Sequence, residues 1–77
     1  MRELVEIMAK ALVDNPDQVE VTEIAAEQSL EIELKVAKED IGQIIGKKGR
    51  NVQAMRLILN AASAKLRKRV VLEIIDQ

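Results

Sequence analysis

The sequence predicts an α+β fold in one small domain, with elements in the order α-β-β-α-loop-α-β. Three observations carry this expectation. Leu30-Glu31-Ile32-Glu33-Leu34-Lys35-Val36 alternates apolar and polar over seven residues, the period of a half-buried strand. Leu4–Leu12 and Asn51–Leu66 instead place their apolar residues at helical spacing. Val70-Val71-Leu72-Glu73-Ile74-Ile75 is rich in β-branched residues and suits a buried final strand.

The elements follow in order. Leu4, Val5, Ile7, Met8, Ala11 and Leu12 form one helical face, with Glu3, Glu6 and Lys10 on the other. Asp14-Asn15-Pro16-Asp17 stops that helix, because Pro16 lacks an N–H and biases Asn15 away from the α region. Val19-Glu20-Val21-Thr22 alternates as a first strand does. It is expected to pair with Leu30–Val36 through a turn around Ala26 to Ser29, although no Gly marks that turn. After Val36 the period changes. Glu39 and Asp40 suit a helix start, and Ile41, Ile44 and Ile45 give a short helix its apolar face. A glycine loop then leads into the long Asn51–Leu66 helix, which contains neither Gly nor Pro. No repeat, low-complexity tract or long linker interrupts the 77 residues, so residues 1–77 are expected to form a single domain.

Composition removes several function classes. There is no Cys, so neither disulfides nor thiolate metal sites are available. There is no His, Phe, Tyr or Trp, so the core must be aliphatic and aromatic stacking on nucleobases is impossible. No stretch approaches the ~20 apolar residues of a membrane span, and Glu3 and Glu6 interrupt any apolar leader. The expectation is a cytoplasmic protein with no membrane contact. Net charge is −1, but it is unevenly spread. Residues 1–37 carry three bases and nine acids, whereas residues 38–77 carry nine bases and four acids. Between Ile41 and Leu72 there are eight bases and no acid. Such a half attracts a polyanion.

The protein has only three glycines, and two of them, Gly46 and Gly49, lie in the stretch IIGKKGRN with Lys47, Lys48 and Arg50. A bare GxxG is a weak signal, because Gly makes up ~7% of residues and the spacing recurs by chance. Context strengthens it. Glycines let another chain approach the backbone closely. A helix N-terminus behind the loop offers unpaired N–H groups and partial positive charge to a phosphate. The plainer alternative is an ordinary left-handed turn between two helices, with solvated lysines.

Ile41-Gly42-Gln43-Ile44-Ile45-Gly46-Lys47-Lys48-Gly49-Arg50-Asn51-Val52 resembles the I-G-x-x-I-G-x-x-G-x-x-I/V core of the KH domain, a single-stranded RNA and DNA binding module. A helix and two strands precede the loop, and one helix and one strand follow it. That order is similar to the type II KH topology, α-β-β-α-α-β. The resemblance implies a three-stranded sheet with the helices packed on one face. Over its whole length the chain is similar to the small bacterial KhpA-type (YlqC-like) RNA-binding proteins. The resemblance implies that Gly46, Lys47, Lys48 and Gly49 clamp the backbone of about four nucleotides. The bases would lie between the flanking helices and a sheet edge. Ile41, Ile44, Ile45 and Val52 match the apolar motif positions, some as groove floor and others as core. Arg50 and Arg56 are candidate phosphate contacts from charge and helix position. With few groups to read base edges, weak sequence specificity is expected.

The long helix carries more apolar surface than one core requires. Val52, Met55, Ile58, Leu59, Ala62 and Leu66 make one stripe, and Gln53, Arg56, Asn60 and Ser63 a narrow polar wedge. Ala54, Leu57, Ala61 and Ala64 remain. A surface helix needs an apolar arc of ~100° or a little more, and this one has about twice that. Alanine is the best helix former, which accounts for three of the four residues but not for Leu57. The extra face suggests a homodimer. The family resemblance implies the same, together with pairing to a larger KhpB (Jag-like) protein.

Lys65, Arg67, Lys68 and Arg69 either extend the RNA surface or complement the helix dipole. Glu31 and Glu33 share the outer side of a strand. Without His, Cys or a pocket motif they form neither catalytic nor metal site, and no cofactor or enzymatic activity is expected. The leading expectation is a non-catalytic RNA-binding module, a post-transcriptional regulator or RNA chaperone working as a dimer. The alternative is a protein-interaction subunit in which RNA binding is secondary.

Overall fold

The computed structural model describes residues 1–75. Helix α1 spans Arg2–Leu12, strands β1 and β2 span Glu20–Ala25 and Ser29–Lys35, helices α2 and α3 span Ile41–Ile45 and Arg50–Leu66, and strand β3 spans Arg69–Ile75. Single 3₁₀ turns lie at Pro16–Gln18, Lys38–Asp40 and Lys47–Gly49. The order is the α-β-β-α-α-β of the sequence reading.

The strands form one sheet in the order β1-β2-β3. β1 and β2 are antiparallel, paired from Glu20↔Lys35 to Ala25↔Leu30. The Ala26 N–H donates to the Ser29 carbonyl at 2.8 Å, so Glu27-Gln28 makes a two-residue turn with no left-handed residue. The hairpin is where the sequence placed it, and β1 runs three residues past Thr22 because β2 continues to pair with it. β3 is parallel to β2, from Ser29↔Arg69 to Lys35↔Ile75. A parallel pair needs a long crossover, which α2, the glycine loop and α3 supply.

Alternation sorts the sheet into two faces. Leu30, Ile32 and Leu34 are buried, and their register partners Val70 and Leu72 are buried beside them. Helices cover this face through Val5 and Ala9 of α1, Ile44 of α2, and Val52, Met55 and Leu59 of α3. Glu31 and Glu73 occupy the opposite, solvated face, as the strand period requires. The α+β arrangement with helices on one face is thus present.

Two apolar stripes are narrower than their spacing implied. On α1 only Val5 and Ala9 are buried, and Ile7 is 68% exposed. On α3 Ile58 and Leu66, expected against the sheet, are 46% and 51% exposed. A three-stranded sheet is too small to cover a wide arc on two helices. Each helix therefore turns one apolar edge outward.

Asp40 also departs from expectation. It makes no side-chain cap at the start of α2. Its carboxylate, almost fully buried, accepts from the N–H groups of Asp14 (3.3 Å) and Asn15 (3.1 Å) and from Asn15 Nδ2 (3.0 Å). It pins the segment after α1 to the entry of α2. At the other end of α1, the Arg2 N–H donates to Glu23 Oε1 of β1 at 2.6 Å, satisfying one of the helix's free N–H groups.

Candidate nucleic-acid interface

The loop between α2 and α3 takes its shape from three consecutive demands. Gly46 ends α2 at φ 78°, ψ 171°, a region essentially reserved for glycine. Lys48 is left-handed at φ 58°, and Gly49 at φ 74°. The Gly49 N–H donates to the Gly46 carbonyl at 3.0 Å, closing the turn.

The two glycines have different duties. A Cβ on Gly46 would lie 2.6 Å from Asn51 Cγ, so the Asn51 side chain fills the space that glycine leaves. From there Asn51 Nδ2 donates to the Gln43 carbonyl at 2.8 Å and satisfies one of the free carbonyls at the end of α2. A Cβ on Gly49 would meet nothing closer than Gln53 Nε2 at 3.9 Å. Gly46 serves packing within the protein, and Gly49 leaves an open approach from outside.

Lys47, Lys48 and Arg50 are all exposed around that opening. The first turn of the 17-residue α3 holds no acid, so nothing on it offsets the positive end of the helix dipole.

About two turns along α3 from the loop, a groove of about 410 Å³ begins between α3 and the edge of β3, lined by Arg56, Leu59, Asn60, Ser63, Arg69, Val70, Val71 and Leu72. Its floor is aliphatic and it has no acidic residue. The Arg69 N–H donates toward β2, to the Gln28 carbonyl at 3.0 Å. Arg56 Nη2 reaches the Leu72 carbonyl from the opposite side at 3.5 Å. Backbone groups alternate in direction along an edge strand, so those of Val70 and Leu72 face the groove. The Ser63 hydroxyl donates to the Lys68 carbonyl and fixes the α3–β3 turn.

The residues expected at this site separate into groups. Gly46, Lys47, Lys48, Gly49 and Arg50 come together at the loop, and Arg56 lines the groove. Ile44 and Val52 belong to the core, Ile41 packs partly against it, and Ile45 is 40% exposed. Of the basic cluster, Lys68 Nζ reaches the Ala26 carbonyl at 3.4 Å, Arg67 is the left-handed cap of α3, and Arg69 lines the groove. Asn51, Asn60 and Ser63 were not singled out from sequence. Asn60 and Ser63 read only as a polar wedge, and the contact of Asn51 depends on a fold the spacing does not encode.

A second surface lies on the other side of α3. Ala54, Leu57, Ala61 and Ala64 are all exposed, Leu57 by 71%. Ile58 joins them, and with Ala54 and Met55 it faces Met8, Ala11 and Leu12 of α1 across an apolar groove of about 270 Å³. Among the described residues no group of three His, Cys, Asp or Glu could hold a metal ion, and no helix is long and apolar enough to cross a membrane.

A helix pair joined by a lysine-bearing GxxG loop, set against a sheet in α-β-β-α-α-β order, defines a KH domain. The family model described as "KhpA/KhpB, KH domain" matches residues 2–74, and the chain belongs to that family. It is 61% identical over 75 residues to the RNA-binding protein KhpA of Caldanaerobacter subterraneus subsp. tengcongensis, covering 97% of this chain and 100% of that one. The RNA-binding protein KhpA of Clostridium acetobutylicum is 55% identical over 75 residues, with the same coverage. That of Aquifex aeolicus is 50% identical over 76 residues, covering 99% of this chain and 96% of its own. No solved structure matches the chain.

Proposed function

We propose that the chain, as a single KH module over residues 1–77, binds single-stranded RNA without catalysis in the cytoplasm. The observation that carries this reading is the open side of Gly49, bordered by Lys47, Lys48 and Arg50 at the start of α3. A phosphate there meets the positive end of the α3 dipole and the cationic side chains around it. Downstream nucleotides enter the groove along β3, where they meet Arg56, Asn60, Ser63, Arg69 and the outward backbone groups of Val70 and Leu72. α3 is about 25 Å long, enough to track roughly four nucleotides. The relatives named for RNA binding support the same reading. Gly49→Asp tests it: the new side chain has room, and its left-handed strain of about 1–2 kcal/mol is below the stability of the domain, so the fold persists while RNA affinity drops at least tenfold. Unchanged affinity would remove the clamp.

The exposed Leu57 and Ile58 favour a second activity alongside the first. The apolar side of α3, extended by the outward edge of α1, joins two copies of the chain or docks a KhpB (Jag-like) partner. Its Ala54 and Ile58 side, toward α1, lies away from the groove residues Arg56, Asn60 and Ser63. A paired module gains affinity from two weak sites on one strand. Such a protein works as a post-transcriptional regulator or RNA chaperone.

A further inference from the structure

We infer that Asn60 is the base-edge reader of the β3 groove and that it favours adenine. The inference rests on the RNA reading of that groove. It comes from the hydrogen-bonding state of each polar side chain in it. The Ser63 hydroxyl is committed to the Lys68 carbonyl. Arg56 is turned toward the Leu72 carbonyl, and as a cation it suits a phosphate. Arg69 is a second cation. Asn60 is exposed and lines the groove, and its amide makes no hydrogen bond to any described residue. It is the groove's one neutral side chain with a donor and an acceptor to spare.

Geometry puts that amide opposite matching groups. Asn60 stands one helical turn after Arg56 and one residue after Leu59. A base held in the groove between α3 and β3 therefore has the Asn60 amide at one edge and the outward backbone groups of Val70 and Leu72 at another. Adenine presents an adjacent donor and acceptor on both of those edges, N6–H with N1 and N6–H with N7. Cytosine and uracil present such a pair on one edge only, and on guanine the edge that carries N7 has two acceptors, O6 and N7. An amide pairs with N6 and N7 of adenine through two hydrogen bonds. Arg56 and Arg69 attract the phosphates of any nucleotide, so discrimination falls to Asn60.

The test compares labelled RNA octamers by fluorescence anisotropy: all-uridine, and uridine alternating with adenine, cytosine or guanine. The native chain should bind the adenine-containing octamer at least about fivefold more tightly than the others. Asn60→Ala should bring all four within about twofold, while the salt dependence of binding, which counts phosphate contacts, stays unchanged. A purely structural role for Asn60 would lower the melting temperature and weaken all octamers equally. No adenine preference in the native chain, or a preference that survives Asn60→Ala, overturns the assignment. The Lys47→Asp, Lys48→Asp double variant keeps the two readings apart. If it abolishes binding while preference is absent, RNA recognition stands and the role of Asn60 falls. If it changes nothing and preference is absent, both fall together.

Discussion

Replacing each loop glycine by alanine separates packing from opening. In Gly46→Ala the new Cβ lies 2.6 Å from Asn51 Cγ, and the backbone stays at φ 78°, ψ 171°. Strain in that region costs about 1–3 kcal/mol. Displacing Asn51 from the Gln43 carbonyl removes a hydrogen bond of about 0.5–1.5 kcal/mol. Together the loss is about 2–4 kcal/mol, against a total of about 4–12 kcal/mol for a chain of this length. Calorimetry should show the melting temperature falling by at least roughly 10 °C. Gly49→Ala meets only Gln53 Nε2 at 3.9 Å, so its loss is the left-handed penalty of about 1–2 kcal/mol. Combining Gly46→Ala with Asn51→Ala should cost less than the two separately, by about 1 kcal/mol, because both remove the same contact. Equal losses at the two glycines, or strict additivity in the double variant, would refute the division of labour between them.

Other consequences follow from the same structure. Asp40→Ala leaves the N–H groups of Asp14 and Asn15 unpaired near a buried site and should lower stability in urea by about 2–3 kcal/mol. Leu57→Glu places a charge on the apolar side of α3 and should shift the protein toward monomer by light scattering without altering its circular dichroism; an unmoved oligomeric state would remove that interface. Lys10 donates a hydrogen bond to Glu6 and lends it charge, so the Glu6 carboxyl titrates below its ordinary range. What the pair contributes is present above the unfolded carboxyl pKa and is lost as pH falls through the lower folded one. An NMR titration should show the Glu6 midpoint rising in Lys10→Ala.

What was legible in the sequence follows the reach of each physical signal. The period of Leu30–Val36 marks a strand because burial on one face acts at every second residue, while its central place in the sheet is visible only in the fold. The glycine loop was legible because its lysines and flanking helices lie within eight residues of chain. The core stripe on α3 was overdrawn. Spacing shows that Ile58 and Leu59 are both apolar, but only the width of the sheet decides that Leu59 is buried and Ile58 is not. Asp40 and Asn51 were obscured for a related reason. A polar residue at a helix boundary reads as a cap, whereas these two bond to backbone 25 and 8 residues away. The groove along β3 needed the parallel pairing to β2, which nothing local in Val70–Ile75 specifies.

The central claim is that an RNA backbone lies across Gly46–Gly49. Binding of random single-stranded RNA, followed by fluorescence anisotropy across a salt series, tests it most directly. The native chain is set against a Lys47→Asp, Lys48→Asp variant of matched melting temperature. The account predicts that the native chain binds, that its affinity falls steeply as salt rises, and that the variant does not bind. Equal binding by the two proteins would contradict it and leave IIGKKGRN as a turn.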